Sequence, residues 1–61
     1  MTLSIREQEI MDLVVTGATN KEIAKTLGIE YTTVRTHLQN IYLKMSAKNR
    51  AHAAVMWIVL P

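Results

Sequence analysis

Apolar residues recur at helical spacing along residues 31–46 and divide that stretch into two faces. At about 100° per residue, one face collects Val34, Leu38, Ile41, Tyr42 and Met45. The opposite face has no carboxylate and carries side chains that can form hydrogen bonds, namely Thr32, Arg35, Thr36 and Gln39. The pattern predicts a helix over residues 31–45 whose inner face joins a protein core and whose outer face meets an anion.

Two capping boxes predict two shorter helices before this one. Ser4 and Glu7 stand in the Ser-x-x-Glu pattern, and Thr19 and Glu22 repeat it as Thr-x-x-Glu. An apolar stripe at helical spacing follows each box: Ile10, Leu13 and Val14, then Ile23, Ala24 and Leu27. We therefore expect helices over residues 5–16 and 20–27.

Glycines separate the predicted helices. Gly17 and Gly28 stand where each helix ends and where a positive φ is often needed. Two short helices joined by a tight turn with glycine are typical of a helix-turn-helix, although αα-hairpins that bind nothing share this spacing. Glu30 occupies the cap position of the next helix in place of Ser, Thr or Asp, so we expect a frayed start there.

A fourth helix is predicted over residues 50–60, with Asn49 as its N-cap. Its residues leave almost no polar face, and a three-helix core of this size cannot cover all sides of it. We expect a second copy of the chain or another protein to cover it, through Arg50, Ala54, Val55, Trp57 and Ile58. The alternative is that its alanines and its tryptophan only cap the core.

Length and composition exclude several kinds of protein. The 61 residues make one domain, residues 1–61, with no cysteine and two histidines, so we expect no disulfide, metal site or cofactor. No pair of carboxylates, activated nucleophile or phosphate-binding glycine loop indicates an enzyme. The longest apolar run, residues 53–60, is too short to span a bilayer, and no signal sequence opens the chain. We expect a cytoplasmic protein.

Charge distinguishes the two halves of the chain. The net charge of +2 is by itself weak evidence for a nucleic-acid partner. All five acidic residues lie at or before Glu30, whereas Arg35, Lys44, Lys48 and Arg50 follow it. The second half is therefore a basic segment without acids.

Four segments carry a family resemblance. They read L-S-x-R-E-x-E-I from Leu3, G-x-T-N-K-E-I-A-x-x-L-G-I from Gly17, T-V-R-x-H-x-x-N-I-Y-x-K-M from Thr33 and R-x-x-A from Arg50. Over almost its whole length the chain resembles the LuxR/GerE-type helix-turn-helix domain of bacterial transcriptional regulators. The resemblance implies an all-α, four-helix fold in which the third helix enters the major groove of DNA and the fourth makes the dimer contact.

The resemblance also implies roles for individual residues. The base contacts are Arg35, Thr36 and Gln39. The phosphate contacts are Lys21, Thr32, Thr33 and Lys44. The residue types agree with these roles, because Arg pairs well with guanine, Gln with adenine and a Thr methyl with thymine, while threonines at a helix start suit a phosphate. For the two lysines the alternative is a solvated surface charge.

Four positions depart from the family pattern. Ile5 replaces the usual Pro at the first helical position, Glu30 replaces the Ser or Thr cap, and Leu43 occupies an outward position that is often basic. His52 stands where a Glu commonly completes the capping box of the fourth helix. His37, at the margin of the buried stripe, is expected to be packed rather than to contact a base.

Two functions remain open at this point. The first is sequence-specific binding of double-stranded DNA in transcription regulation, as a homodimer on inverted half-sites about one helical turn apart. The second is a solitary helix-turn-helix protein that pairs through its fourth helix with a larger regulator and modulates it. Because Met1 stands at the domain edge, we expect no attached receiver or ligand-sensing domain and no small-molecule ligand, in either an excised domain or a stand-alone protein.

Overall fold

The computed structural model describes residues 2–59, which form four helices and no strand. The helices are α1, Ile5–Val14; α2, Asn20–Leu27; α3, Tyr31–Met45; and α4, Arg50–Val59. The predicted all-α fold is confirmed. The bounds of α2 and α3 coincide with the predicted ranges, whereas Leu60, the predicted last residue of the fourth helix, lies outside the described residues. None of these helices is long and apolar enough to cross a membrane.

α1 ends at Val14, before the predicted end at residue 16. The backbone N–H of Thr16 donates to the carbonyl of Leu13 at 3.1 Å, and the Thr16 hydroxyl donates to the same carbonyl at 2.6 Å. Gly17 follows with a φ of +90°. Both Thr16 groups thus bond to a carbonyl of the last helical turn at the point where the chain leaves the helix, before it reaches the glycine.

Both predicted capping boxes are present. At α1, the backbone N–H of Glu7 donates to the Ser4 hydroxyl at 3.1 Å, and the backbone N–H of Ser4 donates to the Glu7 carboxylate at 2.8 Å. At α2, Thr19 and Glu22 exchange the same two bonds at 3.2 and 2.8 Å. Each pair satisfies two backbone donors that a helix start would otherwise leave without partners.

The other two helices begin differently. Glu30, the cap residue of α3, makes no side-chain cap bond. At α4, the Asn49 side chain accepts the backbone N–H of His52 at 2.8 Å, which confirms Asn49 as the cap. His52 Nδ1 in turn accepts the backbone N–H of Lys48 at 3.0 Å. The histidine therefore supplies the return bond that Glu makes in a capping box, but to the residue before the cap.

One hydrophobic core lies between the four helices. Its buried apolar residues are Leu3, Ile10, Met11, Val14, Ile23, Ala24, Val34, Leu38, Ile41, Met45 and Ala53. α3 supplies four of them, and α4 supplies only Ala53. Because α3 also packs against each of the other three helices, its inner face is fixed and its opposite side is left to solvent.

A buried carboxylate joins α1 to α3. The Glu7 side chain is 4% exposed, and its Oε1 accepts hydrogen bonds from Lys44 Nζ and from the backbone of Ser4, each at 2.8 Å. The bond from Lys44 lowers the pKa of Glu7 below its ordinary value despite the opposing effect of burial, and the bonds with Ser4 lower it further. The carboxylate thus stays ionised and holds the C-terminal half of α3 against the start of α1.

Candidate nucleic-acid interface

The outer face of α3 consists of five exposed side chains: Thr32, Arg35, Thr36, Gln39 and Leu43. At about 100° per residue these positions fall on one side of the helix, opposite its buried side. No carboxylate lies on this face, and within residues 2–59 neither the Arg35 guanidinium nor the Gln39 amide makes a hydrogen bond. α3 therefore presents unused donors to a partner outside the chain.

Thr36 is partly engaged within the helix. Its hydroxyl donates to the backbone carbonyl of Thr32 at 3.1 Å, one turn earlier. The hydroxyl hydrogen is therefore used by the protein itself, and the side chain is left with its oxygen lone pairs and its methyl group. A methyl contact suits Thr36 better than donation to a base.

The start of α3 offers backbone donors. The first helical hydrogen bond there runs from the N–H of Val34 to the carbonyl of Glu30 at 3.1 Å, and no side chain caps the turn. The N–H groups from Tyr31 to Thr33 are consequently without helical acceptors. Thr32 and Thr33 are both exposed at this end, so hydroxyls and amides occur together where the helix dipole is positive.

Lys21 lies near the start of α3. A shallow surface hollow of about 510 Å³ is lined by Gly17, Ala18, Thr19, Asn20, Lys21, Tyr31 and Arg50. Lys21 is exposed, and its neighbour in this hollow, Tyr31, is the first residue of α3. Lys21 therefore lies close to the first residue of α3, although Thr32 and Thr33 do not line the hollow.

Lys44, also a predicted phosphate contact, is bonded to the protein instead. Its ammonium forms the 2.8 Å ion pair with Glu7, and its side chain is 45% exposed. The two residues are 37 positions apart, and no local pattern in the sequence links them. Lys44 therefore balances a buried carboxylate while almost half of its side chain stays exposed, and its predicted phosphate contact stays a prediction.

The predicted interface residues of α4 divide between its two faces. Val55 and Ile58 are exposed, as is Val59, which is not among the predicted interface residues. We call Val55, Ile58 and Val59 the apolar stripe of α4. Ala54 and Trp57 instead pack against the core of their own chain, so they lie on the inward face.

Arg50 is also bonded within its own chain. Its Nη1 donates to Asn20 Oδ1 and its Nη2 to the Ala18 carbonyl, each at 2.6 Å. Trp57 makes a comparable bond from Nε1 to Asp12 Oδ1 at 2.9 Å. These bonds attach α4 to α1, to the first residue of α2 and to the turn before it. Arg50, Ala54 and Trp57 are therefore partly buried within their own chain, and their predicted intermolecular contact stays a prediction.

Comparison with known proteins identifies the family to which this arrangement belongs. Residues 1–57 match the family of bacterial regulatory proteins described as the luxR family. The chain belongs to the LuxR family. It is therefore a helix-turn-helix domain from a family of DNA-binding transcription regulators.

Three relatives illustrate this LuxR-family membership. The chain is 42% identical over 55 residues to "Putative HTH-type transcriptional regulator YhjB" of Escherichia coli (strain K12), covering 90% of the chain and 28% of that protein. It is 47% identical over 55 residues to "CsgBAC operon transcriptional regulatory protein" of the same organism, covering 90% and 25%. It is 54% identical over 48 residues to "Transcriptional regulatory protein TdiR" of Thauera aromatica, covering 79% and 21%. The chain thus spans about a quarter of the length of these relatives.

Proposed function

We propose that this LuxR-family chain binds double-stranded DNA sequence-specifically, with α3 in the major groove, and regulates transcription as a homodimer on inverted half-sites. The main support for the proposal is the composition of the outer face of α3. It is exposed, free of carboxylates and supplied with unused donors, on a helix whose opposite face is buried along four residues. DNA as the target makes the cytoplasm the expected site of action.

The proposed base contacts are Arg35, Thr36 and Gln39. Arg35 suits a bidentate bond to guanine O6 and N7, and Gln39 suits adenine N6 and N7. Thr36, whose hydroxyl hydrogen bonds the helix backbone, offers its methyl group to a thymine. Since the inner face of α3 is packed, these side chains meet the groove without a prior rearrangement of the helix.

The proposed phosphate contacts are Lys21, Thr32 and Thr33. Lys21, which is exposed, and Tyr31, at the uncapped start of α3, line the same hollow, which suits a single DNA strand passing along it. Lys44 stays a predicted contact, but its ammonium already pairs with Glu7. One copy therefore makes few ionic contacts with DNA and binds it weakly alone.

The apolar stripe of α4 supports a homodimer. Val55, Ile58 and Val59 are 58%, 67% and 71% exposed and follow one another at helical spacing. Two copies related by a twofold axis can cover the same stripe on each other. Once one subunit of such a dimer is bound, the other subunit is held near the second half-site of the same DNA. This high effective concentration compensates for the weak binding of one copy.

Selection of binding sites from random double-stranded DNA with the purified chain tests the proposal. We expect a palindromic motif whose half-sites are centred about 10 base pairs apart, bound by a species of twice the 6.9 kDa chain mass in sedimentation. Recovered sequences without a shared motif would overturn the proposed function. A motif bound by a 6.9 kDa monomer would overturn only the homodimer.

The same apolar stripe supports a second candidate function, in which the chain pairs with a larger LuxR-family regulator. In that case, mixing the chain with such a regulator gives a 1:1 complex that depends on Ile58 and does not depend on Arg35. Sedimentation of the mixture with Ile58→Glu and Arg35→Ala variants separates the two functions. A 1:1 complex lost with the first variant and kept with the second favours pairing over independent DNA binding.

A further inference from the structure

Leu43 differs from every other member of the outer face of α3 because it is apolar. It is 78% exposed, although single exposed leucines are ordinary on protein surfaces. Its position relative to the proposed base contacts distinguishes it from other exposed apolar residues. Leu43 follows Gln39 by one helical turn and Arg35 by two turns, so the three side chains form one row along the helix.

Leu43 is close enough to Arg35 and Gln39 along the helix for all three side chains to lie in the same groove. Leu43 is roughly 12 Å beyond Arg35 along the axis, at about 1.5 Å per residue. Recognition helices that lie along the major groove contact bases over a comparable span, as the helix of a homeodomain does. With Arg35 and Gln39 on base edges, the next turn places Leu43 over neighbouring base pairs.

A leucine can recognise only one group on the base edges of the major groove. It neither donates nor accepts a hydrogen bond, and every base-edge group in that groove is a hydrogen-bond donor or acceptor except the thymine 5-methyl. We propose that Leu43 is a specificity-determining residue that contacts the 5-methyl group of a thymine, one helical turn beyond the base pair that Gln39 contacts. This inference rests on the proposed function and adds a thymine preference to it.

Deoxyuridine substitution tests the inference, because uracil pairs as thymine does and lacks only the methyl group. In the selected site, each thymine of a half-site is replaced in turn by deoxyuridine, and affinity is measured by fluorescence anisotropy. We expect one position per half-site, on the far side of the Gln39 base pair from Arg35, at which uracil weakens wild-type binding by about fourfold. For Leu43→Ala, thymine and uracil should bind equally well at this position.

Two control variants make the result specific. Ile5→Ala removes an equally exposed apolar side chain, 79% against 78%, from α1 rather than α3, and should keep the full uracil effect. Thr36→Ser removes the only other methyl group proposed to contact thymine and should keep the effect at the position assigned to Leu43. Circular dichroism confirms that each variant is folded, which is expected because all three side chains are exposed.

The outcomes distinguish this inference from the proposed function. If the uracil effect persists in Leu43→Ala, disappears in Thr36→Ser, or is absent at every thymine, the assignment of Leu43 is wrong while specific DNA binding stands. If no site is selected at all, or if Arg35→Ala binds the selected site as wild type does, the placement of α3 in the groove fails and the inference fails with it.

Discussion

α3 and α4 each have a packed face and an exposed face, but the two helices differ in how they are attached to the core and in which side chains they expose. α3 buries Val34, Leu38, Ile41 and Met45 and exposes polar side chains. α4 buries only Ala53 completely and exposes an apolar stripe. The position of α3 is therefore set mainly by apolar burial, which leaves its polar groups free for a ligand.

The attachment of α4 depends more on polar bonds. Arg50 bonds to Asn20 of α2 and to Ala18 in the turn before it, and Trp57 bonds to Asp12 of α1. Each of these bonds has a charged partner and contributes about 1.5–3 kcal/mol net, whereas the apolar stripe of α4 stays exposed in the single chain. This difference supports the proposal that α3 contacts DNA through polar side chains and that the exposed apolar stripe of α4 contacts a second protein chain.

A charge in the apolar stripe is expected to have the largest effect. Ile58→Glu should yield a folded monomer whose affinity for a two-half-site DNA falls about 100-fold to 10,000-fold, because the second contact is no longer intramolecular. Affinity for an isolated half-site should hardly change. Sedimentation and fluorescence anisotropy measure both quantities. Ile5→Glu, which adds the same charge at an exposed apolar position of α1, should remain dimeric, and an Ile58→Glu dimer would contradict the role of α4.

Loss of the Arg35 guanidinium should have the next largest effect. Arg35→Ala should weaken specific binding by about 1–3 kcal/mol, roughly fivefold to 150-fold, and relax the preference at one base pair of each half-site. The thermal unfolding midpoint should not change, because Arg35 is exposed and unbonded within the described residues. Arg6→Ala, which removes an equal charge from α1, should keep the base preference. Unchanged affinity and preference in Arg35→Ala would show that this face does not contact bases.

Removal of the Lys44 ammonium tests how α3 is held. Lys44→Met leaves the buried Glu7 carboxylate without its counter-ion and should lower the free energy of unfolding at pH 7 by about 1–2 kcal/mol, less than for a fully buried pair because Lys44 is 45% exposed. Urea unfolding measures this value. Lys48→Met, which removes a charge that makes no ion pair within residues 2–59, should change it little.

The contribution of the Glu7–Lys44 ion pair to the stability of the fold should decrease as the pH falls. The pKa of Glu7 is lowered in the folded chain from its ordinary value of 4.5. The stabilising effect of the pair is therefore complete above pH 4.5. This effect is lost as the pH falls from 4.5 through the lowered pKa. The difference between wild type and Lys44→Met should therefore shrink between pH 5 and pH 2, roughly the range over which paired carboxylates titrate. A difference that stays constant over this range would mean that Glu7 does not depend on Lys44.

The smallest expected effect concerns Lys21. Lys21→Ala should weaken binding to all sequences alike and reduce the slope of log affinity against log salt by about one unit. Anisotropy titrations at several salt concentrations measure the slope. Lys25→Ala removes the same charge near the opposite end of α2 and should leave the slope unchanged. An altered base preference in Lys21→Ala would place Lys21 at a base edge instead of at a phosphate.

Features set by nearby residues were predictable from the sequence. The capping boxes at Ser4 and Thr19, the cap at Asn49 and the two faces of α3 all depend on residues a few positions apart. The early end of α1 is also local, but a threonine such as Thr16 fits a helix as well as a turn. The sequence therefore could not show where α1 ends.

Contacts between distant residues were not predictable. The partners of Lys44 and Trp57 lie 37 and 45 positions away, and nothing near either residue identifies them. The faces of α4 could not be assigned because a nearly continuous apolar helix has no periodicity that separates inside from outside. This is why Ala54 and Trp57 were assigned to an intermolecular contact, although they pack against their own core.

The uncapped start of α3 affects how its amide hydrogens exchange with solvent. The first N–H groups of α3 lack the side-chain acceptor that Ser4 and Thr19 provide for α1 and α2, so they should exchange rapidly with deuterium in the free chain. A DNA phosphate bound at this turn accepts the bonds that a serine or threonine would have accepted. The nucleic acid then serves as the missing cap of the helix that contacts it, and slowed exchange from Tyr31 to Thr33 marks where the sugar-phosphate backbone lies.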